Sequence, residues 1–435
     1  MKAVHTRPTY RYIGLAVLLI SALATVYVRV LSQPRVYVLV DLVVYREGAQ
    51  SLGMGRPLYD HMTLQNNLPF TYPPLSAWLA FPFGMVPFPV AAALWTILQV
   101  WAVYGAAHLA MRVPMVAVRQ RLGAKADGVP YLAAAAMLWM EPLHDGVYFG
   151  QVNAFIVVAA MADLSLRHMR WPRGALTGLV TAVKLTPGVF WIHYAVSGQW
   201  RLLVNSIATA AGLTILVAVA DLRTSLDFWF GAIRQPERLG ENVNTSNQSI
   251  RGMLMRLGET HNIPEFYISA AWLVCVVLVA VPSFLLAKRF HDLGDRAAEV
   301  GVVGLMAVLL SPVAWIHHLH WLVVLLPAVI GDGRRRRRWI IAAAYLGLFM
   351  WRMPWTGHGM LLYQDLPPAG NAVAMVLQDG FGLLALLLLV ILWRLSYDGH
   401  HQGVVQVPGV RPRLEASQRP AGSSPSLPRD SSDTH

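Results

Sequence analysis

Several titratable and amide side chains stand inside or beside apolar stretches, and these residues could carry chemistry. In VLVDLVVYREG (38–48) the carboxylate of Asp41 stands among large aliphatic residues. An ionisable group in such a stretch is expensive unless it faces a cavity or a partner, and partial burial raises a carboxyl pKa toward values suited to proton abstraction. Asp41 is therefore a candidate general base, with Tyr45 on the same helical face. The alternative is an interfacial carboxylate or a helix N-cap.

A lysine occupies a comparable position in AVKLTPG (182–188), where Lys184 stands inside an apolar segment just ahead of Pro187. An ammonium group at membrane depth needs an anion, and phosphate suits it as a partner. Lys184 is therefore a candidate ligand of a lipid phosphate, with Arg251 and Arg234 as further cations. The alternatives are snorkelling to the interface and pairing with an acidic side chain.

Side-chain amides are concentrated in YFGQVNAF (148–155) and in ENVNTSNQSIRG (241–252), and aromatic residues flank the prolines of FTYPPLSAW (70–78). Amides both donate and accept, which suits hydrogen bonding to sugar hydroxyls. The alternatives are helix-end hydrogen bonding, an ordinary polar loop and a proline-set helix entry. The candidate sugar- or acceptor-binding residues are Tyr45, Tyr72, Gln151, Asn153, Asn244, Asn247 and Gln248.

Three histidines stand between two tryptophans in SPVAWIHHLHW (311–321). Histidine suits proton transfer or phosphate binding near a membrane surface. His317 and His318 are candidates for these roles, either as the base in place of Asp41 or beside the phosphate. No carboxylate stands at helical spacing from them, so we do not expect a zinc site. The alternative is a belt of His and Trp residues at the membrane interface.

The elements that must position these residues are membrane helices. Of 435 residues, 56% are hydrophobic and only 13% are charged, whereas soluble domains carry roughly a quarter charged residues. The apolar residues come in blocks that can cross a hydrocarbon core of about 30 Å. We therefore predict an all-α polytopic membrane protein with about 11–13 membrane helices. The predicted segments are 11–31, 73–88, 90–111, 129–143, 152–166, 173–184, 187–198, 202–220, 266–287, 297–313, 318–332, 339–352 and 371–395.

Basic clusters, above all GRRRRRW (333–339), mark the cytoplasmic ends of these helices. This orientation predicts a plasma-membrane protein whose chemistry faces the outer side. The first outer loop should begin as an amphipathic surface helix. Prolines suggest a short or re-entrant piece at 73–88, and 173–184 with 187–198 form a half-length pair that is typical of a binding site. The outer, catalytic loops are predicted at 32–72, 142–152, 221–265 and 353–370.

Several classes of function are disfavoured by what the chain lacks. The net charge of +12 reflects the positive-inside bias, so a nucleic-acid partner is not expected. One cysteine, Cys275, allows neither an intramolecular disulfide nor a redox pair. The sequence has no phosphate-binding P-loop and no paired D-x-D, so neither ATP nor a metal-bridged diphosphate donor is indicated. Residues 1–395 read as one transmembrane domain, and 396–435 as a disordered cytoplasmic tail.

Taken together, these motifs resemble glycosyltransferase family 87, a polyprenol-phosphate-mannose-dependent family of the GT-C superfamily. The resemblance covers roughly residues 10–395, and within the family it is greatest to actinobacterial members that extend phosphatidylinositol mannosides. The motifs that carry it are DLVVY (41–45), YPPL (72–75), GQVN (150–153), KLTP (184–187), N-x-x-N-Q-S (244–249) and SPVAWIHHLHW (311–321).

The resemblance implies a GT-C fold and transfer of mannose from polyprenyl phosphate mannose to a glycolipid hydroxyl. The β-linked donor would become an α-(1→2) linkage, so the reaction inverts the anomeric carbon. One in-line displacement needs one base, Asp41 or a histidine, and cations near the leaving phosphate. A monophosphate leaving group fits a reaction without metal or cofactor.

Other functions stay open at this point. The acceptor could be lipomannan, lipoarabinomannan or an arabinan branch rather than a phosphatidylinositol mannoside. A lipid or sugar transporter would also use a half-helix pair around Lys184, although no internal repeat supports alternating access. A non-catalytic membrane scaffold would leave the Asp, Lys and His residues of the apolar segments unexplained.

Overall fold

A computed structural model describes residues 9–32, 38–166, 169–235, 238, 240, 242–363 and 365–398. This part of the chain is helical and contains no β-strand beyond two isolated bridges, which confirms the all-α prediction. Its α-helices are α1 (Thr9–Val26), α2 (Val40–Gly53), α3 (Pro74–Met85), α4 (Phe88–Ala110), α5 (Pro114–Leu122), α6 (Val129–Met137), α7 (Glu141–Phe149), α8 (Asn153–Ser165), α9 (Ala175–Val183), α10 (Val189–Val196), α11 (Trp200–Ala220), α12 (Leu222–Leu226), α13 (Ile250–His261), α14 (Glu265–Leu293), α15 (Arg296–Leu310), α16 (Leu322–Ile330), α17 (Arg336–Met350), α18 (Met353–Tyr363), α19 (Pro368–Gln378) and α20 (Gly380–Tyr397).

Five helices of the described chain are long and apolar enough to cross a membrane: α1 with its π-helical extension, α4, α11, α14 and α20. The pair α7 and α8 would make a sixth span, bent by 117°. This number is below the expected 11 to 13. Each predicted apolar segment does contain a helix, but many are short because proline or glycine ends them. A nine-residue helix such as α9 extends only about 14 Å, less than half of a hydrocarbon core.

The first outer loop begins with a helix, α2, as predicted. It does not lie loosely on the surface, because Leu42, Tyr45 and Ala49 on one face are buried. Two polar side chains of α2 also bind the end of α3: Arg46 Nη2 donates to Val86 O at 2.9 Å, and Gln50 Nε2 donates to Gly84 O at 2.9 Å. This packing holds the first turn of α2, with Asp41, in a defined place.

The half-length pair predicted around Pro187 is present as α9 and α10, joined by a short 3-10 turn over Thr186–Gly188. The entry to α9 is fixed by Asp163 of α8, which is fully buried. Asp163 Oδ1 accepts from Gly174 N at 3.0 Å, and Oδ2 accepts from Thr177 N at 2.8 Å and Thr177 Oγ1 at 2.9 Å. Gly174 has φ of 100°, and a Cβ there would lie 2.4 Å from Leu202 O, so only glycine fits.

The chain end is described only to the close of α20 and the turn at Asp398. Most of the segment predicted as a disordered tail, residues 399–435, lies outside the described residues.

We expect Asp163→Ala to destabilise the protein, because it leaves the buried N–H groups of Gly174 and Thr177 at the start of α9 without an acceptor, whereas the Thr177 hydroxyl keeps Tyr194 Oη as a partner. Each orphaned group costs about 1–3 kcal/mol. Thermal unfolding of the purified protein in detergent should show a clear fall in midpoint. The midpoint of Asp163→Asn, which retains one acceptor oxygen, should fall by less. Equal unfolding midpoints for Asp163→Ala and the unmodified protein would contradict the role of Asp163 at the start of α9.

Candidate active site

The structure brings Asp41 together with three of the predicted sugar-binding residues. The half-buried Asp41 side chain is hydrogen-bonded to Gln151, which lies at the bend between α7 and α8. The Tyr45 hydroxyl lies 3.1 Å from Tyr72 Oη and 3.4 Å from Gln151 Oε1. One turn of α2 therefore presents a carboxylate and a phenol toward the same bend.

The environment of Asp41 changes its acidity. Burial away from water raises the pKa of Asp41, and the hydrogen bond from Gln151 and the charge of Lys184 lower it in part. The net result of these effects is a pKa of about 6. Burial is the largest of these causes. A carboxylate with this pKa is deprotonated at neutral pH and is a stronger base than an exposed one.

Lys184 lies at the C-terminal end of α9 and points into the same site. Its Nζ donates to Asn153 Oδ1 at 3.1 Å and lies 3.3 Å from His318 Nε2 and 5.5 Å from the centre of the Tyr72 ring. Because an ammonium has no lone pair, His318 Nε2 must accept and the His318 proton must sit on Nδ1. Two of the three N–H donors of Lys184 are used in this way.

The two candidate histidines lie on a 3-10 helix over Ile316–Trp321. Asn153 Nδ2 donates to His317 O at 2.9 Å, so Asn153 joins the histidine segment to Lys184. His317 is buried, and its Nε2 has no hydrogen-bond partner among the described residues. His320 Nδ1 donates to His317 O at 2.5 Å and its ring packs on Gly146, where a Cβ would lie 2.2 Å from His320 Cε1.

A cleft opens beside Lys184 between α8, α10 and α15. Its head is polar, with Lys184, Asn153 and His318. Its walls are mostly apolar and include the aliphatic side chains of Ile156, Val157, Val189, Ala307 and Val308; Thr186, Pro187, Ser311 and Trp321 complete the lining. A cation at the head of an apolar cleft suits an amphiphile with an anionic headgroup.

Two residues of the spanning helix α4 hold this site, and sequence reasoning missed both. The buried Gln99 donates through Nε2 to Gln151 O at 2.6 Å and Gly146 O at 3.1 Å. Trp95 Nε1 donates to Gly150 O at 2.8 Å. An amide in the middle of an apolar span was the available signal for Gln99, because such a group needs partners at that depth.

The observed contacts of Arg251 and Arg234, the two further cations that the sequence suggested, are with residues other than Lys184. Arg251 lies 5.5 Å from the Trp272 ring and 3.4 Å from Glu265 Oε1, and Arg234 is exposed over the Phe230 ring. Arg234 is exposed, whereas the Arg251 side chain is only 19% exposed and its Nε is buried without a hydrogen-bond partner in the described chain. Phosphate binding by Arg251 and Arg234 stays a prediction.

The amide side chains of Asn247 and Gln248, in the amide-rich segment 241–252, bind backbone groups of neighbouring segments. The side chains of Asn247 and Gln248 are fully buried. Asn247 Oδ1 accepts from Ala314 N at 2.9 Å, and Gln248 donates to Thr245 O at 2.7 Å and Gln378 O at 2.9 Å. This placement does not support direct contact of these two amides with an acceptor, because backbone groups occupy them. Their role is to hold the segment that leads into the histidines.

Asn244 alone of the three loop amides is exposed. Its Oδ1 accepts from Ser246 N at 2.8 Å, which leaves the side-chain NH₂ group at the surface. Among the described residues no three His, Cys, Asp or Glu side chains come together as metal ligands would. Metal independence stays a prediction.

The sequence profile of glycosyltransferase family 87 matches residues 70–312, more than half of the chain. The chain belongs to glycosyltransferase family 87. The matched part of this glycosyltransferase contains Tyr72, Gln151, Asn153 and Lys184, whereas Asp41 and the histidines lie beyond its ends.

Curated relatives of this glycosyltransferase are found in mycobacteria. It is 30% identical over 336 residues to the polyprenol-phosphate-mannose-dependent alpha-(1-2)-phosphatidylinositol mannoside mannosyltransferase of Mycobacterium tuberculosis (strain ATCC 25618 / H37Rv), covering 73% of this chain and 76% of the relative. It is also 30% identical over 326 residues to the polyprenol-phosphate-mannose-dependent alpha-(1-2)-phosphatidylinositol pentamannoside mannosyltransferase of Mycolicibacterium smegmatis (strain ATCC 700084 / mc(2)155). This match covers 73% of this chain and 76% of the relative.

We expect Gln99→Leu to lower the rate of glycosyl transfer about tenfold, because the Gln151 carbonyl loses its side-chain donor and the Gly146 carbonyl loses one of its donors, which loosens the bend that places Gln151. Initial rates of the purified glycosyltransferase would measure this. The matched control is Gln120→Leu, which replaces an exposed glutamine of α5. A Gln99→Leu rate equal to that of this control would contradict the positioning role.

Proposed function

We propose that this glycosyltransferase transfers mannose from polyprenyl phosphate mannose to a hydroxyl of a phosphatidylinositol mannoside, forming an α-(1→2) linkage. The observation that carries the proposal is the pairing of a half-buried base, Asp41, with a cation, Lys184, at the head of an apolar cleft. The activities for which the mycobacterial relatives are named support the choice of donor and acceptor.

In this proposal the donor phosphate binds Lys184 through the remaining N–H of the ammonium. The aliphatic side chains of the cleft walls take the first isoprene units, since they offer no polar group that would need water. Asn153 and His318 hold Lys184 by accepting its other two N–H groups. Both are therefore positioning residues for the phosphate ligand.

The chemical step is a single displacement at the mannose anomeric carbon. Asp41 takes the proton of the acceptor hydroxyl while the new C–O bond forms on the face opposite the phosphate. The bond from carbon to the phosphate oxygen breaks, and the negative charge that develops there is stabilised by Lys184. Attack from the opposite face converts the β-linked donor into an α-linked product.

The other site residues act around this step. Tyr45, Tyr72 and Gln151 surround Asp41 and supply hydroxyl and amide groups for sugar hydroxyls. His317 is the second candidate for the base, because its Nε2 is buried and lacks a partner in the described chain. We propose that the reaction needs no metal and takes place at the outer side of the plasma membrane.

We expect Asp41→Asn to reduce mannosyl transfer by about 10²–10⁴-fold, because the hydroxyl loses its proton acceptor. The assay follows labelled mannose from polyprenyl phosphate mannose into phosphatidylinositol mannoside with the purified enzyme. Glu47→Gln is the matched control, a carboxylate six residues along the same helix that lies 3.1 Å from His61, and it should stay active. Full activity of Asp41→Asn would remove Asp41 as the base and favour His317.

The pH profile tests the same assignment independently. Because Asp41 acts in its charged form and its pKa is about 6, kcat/KM should fall as the pH decreases through about 6. The Gln151 hydrogen bond stabilises the charged form, so Gln151→Leu should move this acidic limb to higher pH. An acidic limb near pH 4 that Gln151→Leu leaves in place would contradict the assignment.

A further inference from the structure

A short helical segment directly follows the spanning helix α11. It consists of α12, a π-helical turn over Asp227–Gly231 and a 3-10 turn over Ala232–Arg234. We call residues 222–234 the loop helix. It begins at Asp221, whose side chain accepts from Thr224 N at 3.0 Å. This N-cap lets the chain turn at the end of the span and continue at once as a helix.

The loop helix has an apolar face that the described chain leaves uncovered. Leu222, Leu226, Phe230 and Ile233 recur at intervals of four, four and three residues, which places them in one stripe along a helix. Each is between 43% and 65% exposed. Large apolar side chains at this density on a surface mark an interaction site.

The other faces differ sharply from this stripe. Arg223, Asp227 and Arg234 are exposed and charged, and they follow one edge of the apolar stripe. Phe228 is buried on the inner face, with its ring centre 5.6 Å from that of Tyr59. A helix with one buried, one apolar exposed and one charged face is typical of a membrane interface.

The position of the stripe next to α11 in the chain indicates what covers this apolar surface. Ile215, Leu216 and Val219, in the last turns of that apolar span, are 62% to 81% exposed and therefore face lipid. Only Ala220 and Asp221 separate Val219 from Leu222. The exposed apolar residues at the end of the span and those of the stripe are therefore neighbours along the chain, on either side of the turn at Asp221.

We propose that the loop helix lies in the boundary between lipid headgroups and acyl chains, with its apolar stripe inserted into the bilayer. Helices of this kind insert their apolar face by about 5–10 Å. The charged edge would then meet headgroups and water. The buried face links this anchor to the active site, because Tyr59 Oη donates to Tyr72 O at 2.9 Å. The loop helix therefore holds the site at the lipid surface.

The test measures depth by electron paramagnetic resonance in vesicles of phosphatidylethanolamine and phosphatidylglycerol. Nitroxide labels are placed on Leu226→Cys and Phe230→Cys in the Cys275→Ala background, and the matched control is Asp227→Cys on the charged edge. We expect the ratio of collisions with oxygen to collisions with a water-soluble nickel chelate to be several-fold higher at Leu226 and Phe230 than at Asp227.

Two results would overturn the proposal. Equal ratios at all three positions would place the stripe in water. Labels at Leu226 and Phe230 that neither oxygen nor nickel reaches would show that protein, such as a second copy of the chain, covers it. The collision measurement does not require catalysis, so its outcome is independent of the proposed substrates. Ile233→Cys replaces either variant that does not fold.

Discussion

The candidate site depends on one half-buried interaction, in which Asn153 and His318 accept hydrogen bonds from the Lys184 ammonium. A cation is stable there only because two neutral acceptors and the nearby Asp41 carboxylate replace the water it has lost. Three separate parts of the chain must meet to supply these groups: the bend before α8, the break after α9 and the 3-10 helix after α15. The rest of the architecture serves this meeting.

Each of these three parts is a place where a helix is interrupted within the membrane protein. Interrupted helices leave backbone groups that need partners, and here those partners are buried side chains of neighbouring elements. Gln99 and Trp95 of α4 bind the backbone at the bend, and Asn247 binds the segment that precedes the histidines. The polar chemistry of the site is therefore supported by an apolar span, α4, whose Gln99 and Trp95 donate hydrogen bonds to backbone carbonyls at the bend.

Residues of the loops either stabilise the fold or face outward, and the residue types alone do not distinguish these two roles. Asn247 and Gln248 hold backbone, although amides of this kind would equally suit a sugar. Phe228 packs inward on Tyr59 while Phe230, two residues on, faces outward. The role of a loop residue depends on which side of a short helix it occupies, and the packing of the whole loop determines that side.

The sequence by itself determined the class of fold and the half-length pair at Pro187, and it singled out Asp41 and Lys184 as candidates, because apolar runs and isolated charges are local properties of the chain. It also located Gln151, Asn153 and the histidines through motifs near helix ends. Only the tertiary structure decided which of these groups meet, since the contacts join residues far apart in the chain. It also added Gln99, which binds the backbone at the bend before α8, because side-chain direction and long-range packing are not encoded in any short pattern.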